Sequence, residues 1–470
     1  MKTYDIYCGG GFRSTETKLE VTNPYSGKVV AGTFLASASD LEDALQAALA
    51  VKDEMAALPV WRRYEALMQI AGELRENRNE FAALLAAEAG KPMRYALGEI
   101  DRAIQTFTVA AEESKRLPGE LLSLDWTKPG EGKHGVVKYF PVGVVAGISP
   151  FNFPMNLAVH KIAPAIASGC PIILKPSTST PLSTLALAEI IDKTTLPKGA
   201  VSIMPMDRAT GNNLVTDDRI KLLSFTGSPA VGWKMKAQAG RKKVLLELGG
   251  NAGVIVTKSA DIDHAVKRCL IGGFAYSGQV CIHSQRIYVE RAVFDEFAAK
   301  FVEGAKALRK GPPEDDNTEI SAMIDELNAR RVEGWVNEAV EEGARILCGG
   351  KRHGSFYEAT VLSDTHPRMK VCALEVFGPV VTLEPVDSFE QAVDEINNSE
   401  YGLQAAVFTT SIAEMDYAHN HLEVGGVIIN EVTTFRVDHM PYGGIKNSGL
   451  GREGLKYAIH EMMEPRILVR

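Results

Sequence analysis

At 470 residues the chain exceeds one compact core and points to two or three domains, while 45% apolar and 23% charged residues exclude a disordered or fibrous class. The formal net charge of −8 argues against a general nucleic-acid or anionic-membrane binder. Six widely spaced cysteines, Cys8, Cys170, Cys269, Cys281, Cys348 and Cys372, form neither CxxC pairs nor a disulfide framework, which fits a reducing cytoplasm.

The N-terminus lacks an apolar h-region, and the most apolar later stretch, residues 157–174, is broken by His160, Lys161, Pro164 and Pro171. The chain is therefore expected to be neither exported nor membrane-spanning. No histidine falls in HExxH or another ligand spacing, so no metal site is expected. Residues 1–35 read as short strands about a turn at 23–28. Apolar residues at three- and four-residue spacing then predict helices over 40–52, 61–77, 78–97 and 100–116, ended by Leu117-Pro118-Gly119. A strand-like run follows at 135–139.

From residue 142 the pattern becomes strand, turn, helix. Strands are predicted at 142–148, 172–175, 201–204, 221–225 and 243–248, with helices at 155–167, 183–191 and 229–239. Such alternation gives an α/β fold whose parallel sheet is covered on both faces, with ligands beyond the carboxyl ends of the strands. Those ends are the turns 149–152, 175–178 and 226–228. There is no G-x-G-x-x-G; instead Gly227-Ser228-Pro229-Ala230-Val231-Gly232 opens a helix whose free N–H groups suit a pyrophosphate, a weak signal by itself. A second α/β block begins after Gly249-Gly250, with a strand at 253–256, helices at 262–274, 293–308 and 325–343, further alternation from 379 to 430 and a strand-like tail at 465–470.

Within that block, Phe274-Ala275-Tyr276-Ser277-Gly278-Gln279-Val280-Cys281 delivers a thiol out of a glycine turn. A thiol of pKa about 8.5 is only slightly ionised at neutral pH, so nucleophilic use requires a base or a lowered pKa. Glu247, in Leu246-Glu247-Leu248-Gly249-Gly250-Asn251, is the matching carboxylate. Taken singly, each residue has a commoner structural use: Cys281 as buried filler, Asn152 as a turn residue, Glu247 as a solvated acid, Lys175 and Glu375 on the surface.

Seven motifs in register change that balance. Pro150-Phe151-Asn152-Phe153-Pro154, Lys175-Pro176-Ser177, Phe225-Thr226-Gly227-Ser228, Glu247-Leu248-Gly249-Gly250-Asn251, Phe-x-x-x-Gly-Gln-x-Cys at 274–281, Glu375-Val376-Phe377-Gly378-Pro379 and Pro441-Tyr442-Gly443-Gly444 span nearly the whole chain. Together they resemble the aldehyde dehydrogenase superfamily. The resemblance implies two Rossmann-type parallel-sheet domains plus a small β oligomerisation flap. Residues 1–118 and 141–247 would bind the dinucleotide, 248–455 would form the catalytic domain, and 119–140 with 456–470 would build a homodimer or homotetramer.

It further implies NAD or NADP as cofactor and a small aldehyde as substrate. Cys281 would be the nucleophile, Asn152 an oxyanion donor with the Cys281 N–H, and Glu247 the base for hydrolysis. Ser149, Pro150, Phe151, Lys175, Ser177, Thr178, Gly227, Ser228, Gly232, Leu248, Glu375 and Phe377 would contact the cofactor. Thr178 stands where many NAD-preferring relatives carry Glu, which leaves NADP open. Arg102 and Arg436 resemble anion-binding arginines of non-phosphorylating glyceraldehyde-3-phosphate dehydrogenases. Val280, where that group has a third arginine, and His160 are closer to lactaldehyde dehydrogenases, and the region 435–444 is also similar to phosphonoacetaldehyde dehydrogenases. Phe153 and Tyr442 complete the implied substrate side, and a short anionic or α-hydroxy aldehyde is expected. An acylating, coenzyme A-dependent branch typically lacks the base that Glu247 would supply, and an inactive binding protein would lack Cys281, Asn152 or Glu247.

Overall fold

The apolar runs between turns pair into two large sheets in the computed structural model, which describes residues 2–470. In the first, Val201–Ile203, Ile172–Lys175, Val144–Ile148, Ile220–Thr226 and Lys243–Glu247 lie side by side and parallel. Val144–Ile148 is buried at every position, as a strand covered on both faces requires. One face packs against Val60–Glu76, Met93–Ser114, Pro154–Ser168 and Leu182–Ile191. The other carries Ala38–Ala50, Arg208–Thr216 and Pro229–Gln238. Strand order reverses between Val144–Ile148 and Ile220–Thr226, and a crevice opens there beyond their carboxyl ends.

The second sheet is centred on Gly253–Val256, parallel to Arg286–Glu290 on one side and to Gln404–Phe408 on the other. Val380–Val386, Thr360–Ser363 and Gly426–Ile429 extend it, with Arg345–Cys348 antiparallel at one edge. A third, antiparallel sheet of Gly119–Ser123, His134–Pro141 and Met463–Val469 stands apart and exposes Leu121, Ile467, Leu468 and Val469, with Trp126 90% exposed in its loop.

Three features depart from the sequence expectation. The helices expected at 78–97 and 100–116 are Arg78–Ala89 and Met93–Ser114. The break falls earlier because Gly90 takes a left-handed φ of 63° and Pro92 cannot continue the preceding helix. The polypeptide also returns to the first sheet before residue 455: Gly449–Leu450 pairs with Lys243–Glu247, and Leu455–Glu461 joins the core around Pro154–Ser168. Finally, Arg208–Thr216 and Ile412–His421 are short helices capped by Asp207 and Ser411, and their few apolar positions left no clear period in the sequence. No helix of the described residues is long and apolar enough to cross a membrane.

Candidate active site

A cavity of about 400 Å³ occupies the crevice. Pro150, Phe151 and Asn152 line it from the turn after Val144–Ile148, and Thr226, Gly227 and Ser228 from the turn after Ile220–Thr226. Glu247, Leu248 and Gly249 form its floor, and Cys281, Glu375 and Phe377 come from the second sheet's side.

The Cys281 turn is strained. Tyr276 and Ser277 hold φ of 49° and 54°, and Gly278 follows at 69°, so three successive residues are left-handed. The fold over-determines this: Tyr276 donates its hydroxyl to Ala89 O (2.9 Å), Ser277 Oγ donates to Ser321 O (2.6 Å), and a side chain on Gly278 would collide with the Gly378 carbonyl. Cys281, the one partly exposed cysteine among six free thiols, has its Sγ 3.1 Å from Tyr442 OH. Burial, with the Glu375 carboxylate, pushes its pKa up to about 11, against the hydrogen bond with Tyr442 and the positive charge of Arg436.

Asn152 donates Nδ2 to Gln279 O (2.9 Å), which ties its turn to the cysteine turn and leaves the second amide hydrogen free. The Cys281 N–H makes no hydrogen bond among the described residues. Lys91, wholly buried in the Gly90–Pro92 break, pairs with Glu99, donates Nζ to Asn152 O (2.7 Å) and packs over the Phe153 and Tyr276 rings. Glu99 in turn caps the helix Pro154–Ser168 by accepting from Met155 N and Asn156 N, both at 3.0 Å.

Glu247 ends its strand buried, with Oε2 lacking a partner among the described residues. Burial and then Glu453 hold its carboxyl well above the usual range, against Arg436, Lys161 and Arg452. Glu453 accepts from Lys161 Nζ (3.3 Å) and Arg436 Nη2 (2.8 Å). Burial pushes Glu453 up, but those two cations outweigh it and hold it at about 2.

The expected substrate residues gather on the other side of Cys281, outside the cavity lining. Phe153, Val280 and Tyr442 form an apolar cluster with it. Arg102 Nη2 donates to Asp438 Oδ1 (2.7 Å), and His160 Nε2 meets the same oxygen at 2.9 Å. Arg436 stacks on the Tyr442 ring, its Cζ 3.7 Å from the ring centroid. Arg102 and Arg436, expected on the anion-binding side, each already pair with a buried carboxylate, which the buried Arg436 guanidinium requires and the partly exposed Arg102 shares. Nη1 of each still makes no hydrogen bond among the described residues, so one amino group per arginine remains available.

On the cofactor side, Ser149 Oγ is buried without a partner, and the Lys175 amine makes no hydrogen bond or ion pair among the described residues. Gly211 leaves room for Lys175, since a Cβ there would stand 2.9 Å from its Cε. Pro229–Gln238 begins at Ser228 without a side-chain cap, so its first N–H groups are unclaimed. These unsatisfied donors fit a dinucleotide phosphate and ribose. Lys175, Ser177, Thr178 and Gly232 do not line the cavity itself; a Cβ at Gly232 would run into Leu248, so this glycine serves close helix–strand packing. Glu375 accepts from Gly250 N (3.1 Å), and burial raises its pKa to about 7.

A profile of the Aldehyde dehydrogenase family matches residues 12–468. The chain belongs to the aldehyde dehydrogenase family. It is similar to a 3-sulfolactaldehyde dehydrogenase of Priestia aryabhattai, 43% identical over 100% of this chain and 98% of that protein. Among solved structures, aldehyde dehydrogenase 21 from Physcomitrella patens, in complex with the reaction product succinate, superposes with a TM-score of 0.98 at 45% identity, covering 100% of this chain and 98% of that one. A glyceraldehyde-3-phosphate dehydrogenase from Methanocaldococcus jannaschii complexed with NADP gives 0.93 at 38% identity, covering 97% and 99%. The protein is thus an NAD(P)-dependent aldehyde dehydrogenase.

For this aldehyde dehydrogenase, sequence reasoning missed the residues that support the named ones: Lys91, Glu99, Lys161, Asp438 and Glu453, and Asn328, Arg331 and Trp335 on the cavity wall. One signal was present. His160 and Lys161 lie mid-helix in an apolar run, and charges in such a place need buried partners.

Proposed function

We propose that this aldehyde dehydrogenase oxidises a short aldehyde bearing an anionic or α-hydroxy group, through a covalent intermediate on Cys281. The observation that carries the reading is that Cys281, the Asn152 amide and Glu247 line one cavity, while Arg436 stacks on Tyr442, whose hydroxyl meets the thiol, and Arg102 is joined to Arg436 through Asp438 and His160. The thiol proton leaves through the cavity, and the sulfur adds to the carbonyl carbon. The π pair moves onto oxygen, where the free Asn152 N–H and the Cys281 N–H receive the charge, each donor worth about 3 kcal/mol in comparable sites. The oxyanion collapses as the carbon loses hydride and becomes a thioester; NAD(P)+, when bound, accepts that hydride. Glu247 then takes a proton from water, the oxygen adds to the acyl carbon, and the Cys281 thiolate leaves with the acid released.

The substrate class is supported by the two available guanidinium amines and by relatives named for sulfolactaldehyde and lactaldehyde. The exposed apolar third sheet supports assembly as a homodimer or homotetramer, and six free thiols suit a cytoplasmic setting. The test is a panel of aldehydes with Arg102→Gln, the less buried arginine. kcat/KM should fall at least tenfold for a short aldehyde carrying a carboxylate or sulfonate and hardly at all for propanal. Equal losses on both would reduce Arg102 to a partner of Asp438 and remove the basis for an anionic substrate.

A further inference from the structure

The one side chain hydrogen-bonded to the reacting sulfur among the described residues has no part in the mechanism above. Tyr442 OH lies 3.1 Å from Cys281 Sγ and has no other hydrogen-bond partner among the described residues. Its position is enforced from three sides. The backbone is bridged to Glu453, with Tyr442 N donating to Glu453 O (3.0 Å) and Glu453 N donating back (2.6 Å). The ring lies beneath the Arg436 guanidinium, itself fixed by Glu453, and packs against Val280, Ile282 and Leu403. The residue is only 3% exposed, so the hydroxyl is largely shielded from water.

We propose that the Tyr442 phenol is a catalytic hydrogen-bond donor that stabilises the Cys281 thiolate before attack. While sulfur holds its proton, either atom can donate. Once the S–H proton has gone to solvent, the sulfur only accepts, the phenol keeps its own proton and donates it, and the bond becomes charge-assisted. The charged groups around the thiol leave a thiolate poorly supported, and the hydroxyl is the group in contact with it. Glu247 and Glu375 both disfavour a thiolate, and Arg436, the cation that favours it, is shared with Glu453. When sulfur adds to the carbonyl its negative charge moves to the aldehyde oxygen and the bond weakens, so the donor raises the population of thiolate at some cost to its attack and favours the thiolate again when it leaves the thioester. The inference rests on Cys281 being the nucleophile, and its test separates the two claims.

The test is the rate of Cys281 carboxamidomethylation by iodoacetamide in the whole enzyme between pH 7 and 9.5, followed by mass spectrometry of the Cys281 peptide, with aldehyde oxidation measured on the same samples. Tyr442→Phe keeps the ring under Arg436 and removes only the hydroxyl. The rate should fall roughly tenfold at each pH, because a hydrogen bond to an ionised group is worth about one to two pKa units. Tyr442→3-fluorotyrosine supplies a more acidic phenol and should alkylate faster than the native enzyme; a merely structural hydroxyl would not produce that order. A Phe variant that alkylates at the native rate, or a fluorotyrosine variant no faster than the Phe variant, overturns the donor role while leaving the nucleophile in place, provided alkylation still abolishes turnover. Alkylated enzyme that continues to oxidise aldehyde overturns the nucleophile and the Tyr442 role together.

Discussion

The cavity in front of Cys281 and the charge cluster behind it are made of different materials. In front, the walls are mostly turns, Pro150–Asn152, Thr226–Ser228, Leu248-Gly249 and Phe377, whose φ is 46°, closed by Leu157 and by Asn328, Arg331 and Trp335 from the helix Glu326–Glu341. Behind, they are charged side chains from four separate stretches, Arg102, Lys161, Arg436 with Asp438, and Glu453, with the His160 imidazole among them. A wall of backbone is specified by residues adjacent in sequence, because a glycine or proline sets the local dihedrals. A wall of buried charge is specified only by mutual neutralisation across the fold, since each ion is tolerable there only with its partner. The front should therefore fail locally and the back collectively.

Cys281 stands between the two and gives the largest effect. Cys281→Ala should lower aldehyde oxidation by a factor on the order of 10⁴ or more while leaving cofactor binding by fluorescence titration intact. Turnover within tenfold of native would break the division, because the sulfur would then belong to neither wall.

The cluster comes next. Glu453→Gln leaves Lys161 and Arg436 buried without their shared counter-ion and should cost about 3–5 kcal/mol in denaturant unfolding. The same pair governs acid stability. Glu453 is held down at about 2, so its contribution is complete above the ordinary carboxylate value and is lost as pH falls from about 4.5 through 2. Asp438 is also depressed: burial alone would raise it, but His160 and Arg102 outweigh that and extend the loss to lower pH. Unfolding midpoints measured from pH 6 to 2 should drop steeply for the native enzyme and less for Glu453→Gln. Parallel curves would show that the cluster does not act as one unit.

Glu247 faces both regions and sharpens the boundary between them. Glu247→Gln should keep a first-turnover burst of reduced cofactor and slow steady-state turnover about 100-fold, since hydrolysis follows hydride loss. Equal loss of both phases in stopped flow would assign Glu247 to the first step. The smallest effect belongs to the turn wall. Thr178→Glu should lower the NADP/NAD ratio of kcat/KM about tenfold through like-charge repulsion at the ribose 2′-phosphate. An unchanged ratio would mean that this turn, which lies outside the cavity lining, does not face the ribose.

The turn-built half was legible. Alternating strands and helices mark the parallel sheet, the strand ends at 149–152 and 226–228 line the cavity, and the Gly-Gln-x-Cys turn carries the one partly exposed thiol of six. These features depend on hydrophobic period and on glycine and proline dihedrals, which neighbours in sequence control. Tertiary structure alone decided the rest. Gly90-Lys91-Pro92, read as helix interior, is the break that lets Lys91 grip Asn152; Tyr442 meets Cys281 across 161 positions of chain; and the two arginines came with carboxylate partners 336 and 17 positions away. None of these pairings has a local signature. A buried charge records in the sequence that it needs a counter-charge, but which residue supplies it is set by the packing that brings distant segments within 3 Å or so of each other.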